Sequence, residues 1–262
     1  MDVEDSVMDK RTGCKETDTL AKEQYAKGAI GFSDLDLGKQ LYNCYLNTRD
    51  EKYKKALEQM IFQMNVELQS EWKKFCENND SDKITWVNRL QKAMPCYMAY
   101  ETAFHNKENY SDIVDTFRKA DQYLALEETF SLHVASIYAM TLIDTLDVMS
   151  KEIFEHYKTL ETLCKTSIKQ ILKHIKNENK LIYQSIDKSE IDDSILSDLA
   201  RVTYVILKAC RLKVLLPEKY QTTGMDLLDY IICGVDNTKE VECEFRAISI
   251  LAYAEKLMLE SN

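Results

Sequence analysis

Six glycines and two prolines in 262 residues leave this chain few places to turn sharply. Tight hairpins and β-sandwiches need such residues at almost every connection, so long helices joined by polar links are what the composition permits. Hydrophobic residues make up 45% of the chain, enough to bury a core, which separates it from disordered sequences.

The apolar periodicity fills in those helices. Ser33 or Asp34 can cap a helix carrying Leu37, Leu41, Cys44 and Tyr45 on one side, and Asn47-Thr48-Arg49-Asp50 ends it. A long helix follows with Tyr53, Ala56, Leu57, Met60, Ile61, Met64 and Leu68 at three-four spacing, then a loop over Glu77–Asp82. The stretch Trp86–Tyr100 reads as a helix that Pro95 must kink or interrupt, because proline brings no amide donor. After a second loop at Asn106–Asn109, Ile113, Val114, Phe117 and Ala120 stripe another helix. Two more are expected near 126–149 and 151–176, the second with Ile153, Phe154, Tyr157, Leu160, Leu163, Cys164, Ile168, Ile171, Leu172 and Ile175 at helical period. Leu181–Ile186 suits a short extended piece, and the last helices fall near 192–213, 217–233 and 239–260. Residues 1–30 are polar and weakly periodic and read as a loosely ordered start; 31–262 reads as one domain of helical hairpins. No fixed period of 34 or 40 residues recurs, which argues against a solenoid.

A net charge of −10 argues against nucleic acid and against an anionic membrane surface as partners. The eight cysteines show no close Cys-x-x-Cys pair and several fall in apolar stripes, so they read as buried free thiols of a reducing compartment. Met1-Asp2-Val3-Glu4-Asp5 is acidic and lacks the apolar segment of a secretory signal, and no apolar run is long enough to span a bilayer; a cytoplasmic protein is expected. The four histidines are scattered without metal-ligand spacing, and no glycine-rich nucleotide loop or Ser or Cys nucleophile motif occurs, so neither a metal nor a cofactor is expected.

Several collinear stretches carry more specific information. Leu37–Tyr45 with Arg49–Tyr53, then Trp86–Phe104 with Tyr110–Phe117, then Tyr138–Asp144, Ile182–Asp187, Tyr204–Tyr220 and Ala247–Glu255 together resemble the six-hairpin glycosidases of family 105 and its relative family 88. These are the unsaturated rhamnogalacturonyl and glucuronyl hydrolases. The resemblance implies an all-α fold of the (α/α)6 toroid type, here with about nine or ten helices instead of twelve. A reduced barrel leaves an apolar flank for a partner or a second copy, so a homo-oligomer fits the reading.

The family hydrates the 4,5 double bond of an unsaturated uronic acid, and the hemiketal that results collapses to release the sugar. That chemistry needs carboxyl groups able to donate and recover a proton. The resemblance places one family aspartate two residues after the tryptophan of a Trp-x-Asp-x-Leu helix, and here the position is Asn88, whose amide can hydrogen-bond a sugar hydroxyl but cannot cycle a proton. A second family aspartate sits in a His-Gly-Trp-Asp loop that this chain lacks: Tyr123–Phe130 runs almost directly into Leu132–Tyr138. Aligned on Tyr138-Ala139-Met140, His133 replaces the family's arginine, Ser136 its glycine and Ile137 its tryptophan. The family's Glu-x-Ser-x-Ser region is replaced by Asp192–Ser197.

The reading is therefore a shortened, degenerate relative with no catalytic residue assigned. Its oligosaccharide-facing candidates are Trp86, Asn88, His133 and Tyr138. Each has a plainer reading as well: Trp86 and Tyr138 as packing, Asn88 as a surface amide, His133 as a satisfied histidine on an apolar face. Two alternatives stand beside it. One is residual hydrolysis by a different carboxylate, Glu127, Glu128 or Asp144, although Asp144 and Asp147, three apart on one helix face, more often form a solvated or capping pair. The other is a helical interaction scaffold with no sugar site.

Overall fold

A computed structural model describes residues 35–77, 80–104, 107–125, 130–177, 180–181, 193–234 and 243–261. The described residues form nine α-helices and one pair of two-residue strands, so the fold is all-α as the composition required. The chain divides into two compact units, Met1–Glu108 and Asn109–Asn262, where the sequence reading had one domain from residue 31. The division falls in Asn106–Asn109, a short polar link of the same kind as those inside each unit, and composition has nothing there to register.

The first unit contains α1 (Leu35–Thr48), α2 (Glu51–Glu77) and α3 (Asp80–Ala103). α1 stops at Arg49, which takes a left-handed φ of 58°, while its amide donates to the Tyr45 carbonyl at 2.7 Å. Asp50 then starts α2, its carboxylate accepting from the Lys52 amide at 3.0 Å. Two opposite cap signals on adjacent residues fold α2 back on α1, as the Asn47–Asp50 break predicts. Leu41, Cys44 and Tyr53 form a buried cluster across that hairpin. α3 begins already at Asp80, so the loop expected over Glu77–Asp82 is shorter than the polar run suggests. α3 also continues through Pro95 as one helix. Trp86, Val87, Leu90, Ala93, Met94, Cys96, Tyr97 and Met98 are all buried, so packing on every side holds the turn in which Pro95 supplies no amide.

The second unit runs α4 (Tyr110–Ala125), α5 (Leu132–Val148), α6 (Phe154–Ile175), β1 (Lys176–Asn177), β2 (Lys180–Leu181), α7 (Asp193–Arg211), α8 (Pro217–Gly234) and α9 (Cys243–Glu260). The two strands pair antiparallel, Lys176 opposite Leu181; the rest of the extended piece expected at 182–186 lies outside the described residues. α5 packs on α6 and α7, and α7 carries α8 and α9. α5 is buried on nearly all sides, from Val134 to Leu146. Its start is six residues later than the apolar pattern suggests, set by Ser131, whose hydroxyl accepts from the Val134 amide at 3.4 Å. Pro217 opens α8, and Gly224 lets α8 approach α7 closely: a Cβ there would lie 2.7 Å from Leu207 Cδ2.

The α4 stripe of Ile113, Val114, Phe117 and Ala120 is fully buried, as its spacing predicts. Of the α6 stripe, Tyr157, Leu160, Cys164, Ile168, Ile171 and Ile175 are buried, Ile153, Leu163 and Leu172 are half-buried at its edges, and Phe154 stands 67% exposed in the first turn. Cys44, Cys96, Cys164 and Cys210 are buried free thiols; burial pushes the Cys164 thiol up to about 12, which keeps it protonated and inert. Replacing Phe117 by alanine is expected to cost about 3–5 kcal/mol in urea unfolding, the penalty of a cavity in a closed core. The same change at Phe154 should stay within about 0.5 kcal/mol; equal losses at the two sites would contradict the packing described.

Candidate functional site

The four residues singled out from sequence take very different positions. Trp86 is 2% exposed on α3, so neither ring face is open to stack on a sugar. Asn88, two residues on, is half-buried. A helix turns by about 100° per residue, so side chains at i and i+2 diverge by about 200° and cannot line one small cleft from the same helix. Tyr138 is likewise 2% exposed on α5; its hydroxyl donates to the Phe117 carbonyl at 3.1 Å, and burial raises its phenol well above the ordinary range, with Asp121 adding to the effect. Trp86 and Tyr138 are thus packing residues in geometry, while Asn88 and His133 keep access to solvent.

His133 sits in the first turn of α5, half-exposed, with Nδ1 2.9 Å from Asp198 Oδ1 on α7. A carboxylate oxygen at that distance fixes the proton on Nδ1. The same oxygen accepts from Arg201 Nη1 at 2.6 Å, and the Ser136 hydroxyl lies 3.3 Å away. Arg201 is 2% exposed and reaches on to Glu244 of α9. His133 is therefore the outer end of a chain of polar contacts, His133–Asp198–Arg201–Glu244, running across three helices. Its carboxylate is already shared with a buried guanidinium, which makes it a structural partner before it is a general-base partner.

A second network ties the same three helices farther along. Lys208 of α7, 8% exposed, places Nζ 2.8 Å from Asp144 Oδ1 and 2.9 Å from Asp147 Oδ2 on α5. The Tyr204 hydroxyl donates to Asp144 Oδ1 at 2.7 Å and accepts from Lys208 at 2.9 Å. Arg211, one turn on, contacts Asp147 at 3.3 Å and donates through Nε to Glu255 of α9 at 2.6 Å. Burial alone would lower the Lys208 ammonium, but the adjoining Asp144 carboxylate and Tyr204 hydroxyl outweigh it and hold it above the usual lysine range. Hydrogen bonding to Glu255 likewise raises Arg211 against the opposing effect of burial.

Asp144 and Asp147 thus face an interhelical cation, instead of forming the solvated or capping pair expected. Glu127 and Glu128, the other carboxylates weighed for catalysis, lie outside the described residues. Sequence reasoning missed Tyr204, Lys208, Arg211, Asp198 and Arg201. Their signal was there: polar residues three and four apart on a helix otherwise made of buried Leu, Val, Ile and Ala. Among the described residues no group of three His, Cys, Asp or Glu side chains could hold a metal ion, and no helix is long and apolar enough to cross a membrane.

Residues 12–132 match the profile of Glycosyl Hydrolase Family 88, just under half of the chain, and this stretch is glycoside hydrolase family 88-like. The matched segment includes Trp86 and Asn88 and ends one residue before His133. No curated protein and no solved structure gives a match.

Truncating Lys208 to methionine leaves two carboxylates facing each other without their shared cation. The variant is expected to lose about 1–3 kcal/mol at neutral pH. The folded chain holds the Lys208 ammonium above the usual lysine range, so the deficit is present below that range and should shrink as the pH rises through it. A deficit independent of pH between 7 and roughly 12 would show that the buried ammonium is not its cause.

Proposed function

We propose that this protein is a glycosidase-like chain that keeps the helical scaffold of the unsaturated uronide hydrolases but has lost their reaction, retaining at most weak carbohydrate contact at Asn88. The observation that carries the reading is Asn88 itself. It lies inside the segment that matches the family profile, on α3, half-buried, with an amide at the position where the resemblance calls for a proton-cycling carboxylate. An amide offers one acceptor and two donors to a sugar hydroxyl, and it has no proton to give near neutral pH. His133, beyond the matched segment, replaces an arginine of the family pattern and is committed to Asp198.

Residual hydrolysis through Asp144 is disfavoured by the partners that carboxylate already has, since it accepts from both Lys208 and Tyr204. The scaffold reading gains from the same geometry, which spends the polar side chains of α5 and α7 on holding helices together.

The discriminating experiment follows the ultraviolet absorbance of the 4,5 double bond in unsaturated disaccharides from pectin and from glycosaminoglycans. The expected outcome is no loss of that absorbance beyond the buffer rate, for the natural chain and equally for Asn88→Asp. Removing members of a cooperating pair lowers turnover by several orders of magnitude, and restoring one of two does not recover it. Turnover that disappears in Asp144→Asn would overturn the proposal in favour of a hydrolase with a relocated carboxylate.

A further inference from the structure

The buried side of α9 is built from Phe245, Ile248, Ala252 and Glu255, which face the second unit's interior. Its opposite side is also apolar: Ile250, Leu251, Tyr253, Leu257 and Met258 are all exposed, Ile250 at 69%. These positions follow a seven-residue repeat. Ala247, Ala254 and Ser261 recur at one position, Ile250 and Leu257 at a second, Leu251 and Met258 at a third. Sustained spacing of this kind is the pattern of a helix that packs along another helix.

The repeat has a further property. It reads alike in both directions from Ala254: small residues at Ala247 and Ser261, and large apolar ones at Ile250 and Met258 and at Leu251 and Leu257. A face meeting an unrelated partner has no need of such symmetry, whereas a two-fold axis requires residue i to meet j and j to meet i. The charges agree. Arg246 and Glu260 are both exposed and lie about 40° apart around the helix, on the same flank of the stripe. With a two-fold axis at Ala254, Arg246 of one copy stands within about 3 Å, along the axis, of the level of Glu260 in the other. A parallel pairing brings opposite flanks together and gives no such match.

We propose that the outer face of α9 is the seam of an antiparallel, two-fold dimer of this chain, with Ala254 at the axis and Arg246–Glu260 pairs closing both ends. The small residue at the centre lets the two helices approach, and the flanking Ile, Leu and Met fill the seam. A single helix pair is at the low end of stable interfaces, so the dissociation constant is expected to be roughly micromolar.

Sedimentation of the full chain over a concentration series tests this, with circular dichroism and thermal unfolding of each variant as controls. Ile250→Glu with Leu257→Glu should give a monomer whose helix content and unfolding midpoint extrapolated to low concentration are unchanged. Arg246→Glu and Glu260→Arg should each raise the dissociation constant about tenfold, and the double exchange should restore it to within about threefold. A chain that stays monomeric up to on the order of 10⁻⁴ M overturns the proposal. So does a dimer that ignores the two glutamates, which would place the seam elsewhere. A monomer that Ile250→Glu unfolds would show that residues of the same chain cover this face, and a double exchange without recovery would overturn the antiparallel register.

Discussion

Lys208 is the residue on which the second unit most depends. Its ammonium lies within 3 Å of Asp144, Asp147 and the Tyr204 hydroxyl. A charge this deeply buried is costly unless each neighbour answers it, and here three do. The arrangement fixes register as well as contact. Asp144 and Asp147 are three apart on α5, and Lys208 and Arg211 three apart on α7, so a slip of one turn in either helix would strand a carboxylate or a cation. Nearer the start of α7, Asp198 and Arg201 pair with each other within the helix and reach across to His133 of α5 and Glu244 of α9. Apolar packing between α5, α7 and α9 tolerates sliding; two ion networks along the same seam do not.

The helices themselves were legible because the hydrophobic period is strong and turn-formers are scarce. The α4 stripe, the Asn47–Asp50 break and the Pro217 start all appear where the spacing puts them. Boundaries were less legible for physical reasons that differ from case to case. Asp80 and Ser81 look like loop residues but are ordinary helix starters, so α3 begins earlier than the polar run implies. The start of α5 depends on one Ser131 hydroxyl, which apolar periodicity does not weigh. Pro95 reads as a break, yet burial of every residue from Ala93 to Met98 outweighs one missing hydrogen bond.

The candidate site was legible only in part, since a family pattern marks positions and not the direction in which side chains point. Trp86 and Asn88 are adjacent in the motif and diverge on the helix. Tyr138 belongs to a helix buried nearly all round, where an aromatic is core by default. The charged seam was the larger omission. Asp144 and Asp147 taken alone suggest a solvated pair, and only the tertiary pairing with α7 shows what they answer.

That seam bears directly on chemistry. A general acid must pass a proton to the substrate and then regain one, so its oxygen must be able to exchange partners during the reaction. Asp144 has a phenol and an ammonium on the same oxygen, Asp198 a guanidinium and an imidazole, and Glu255 a guanidinium. Each would have to abandon a buried cation before serving a substrate, and the stranded cation would raise the barrier by about the cost of an unpaired buried charge, several kcal/mol. Carboxylates that hold helices together in this way are poor raw material for a relocated active site. On the proposed reading of Asn88, the acids of α5, α7 and α9 offer no ready replacement for a carboxylate, because the described ones among them are committed to ion pairs between helices.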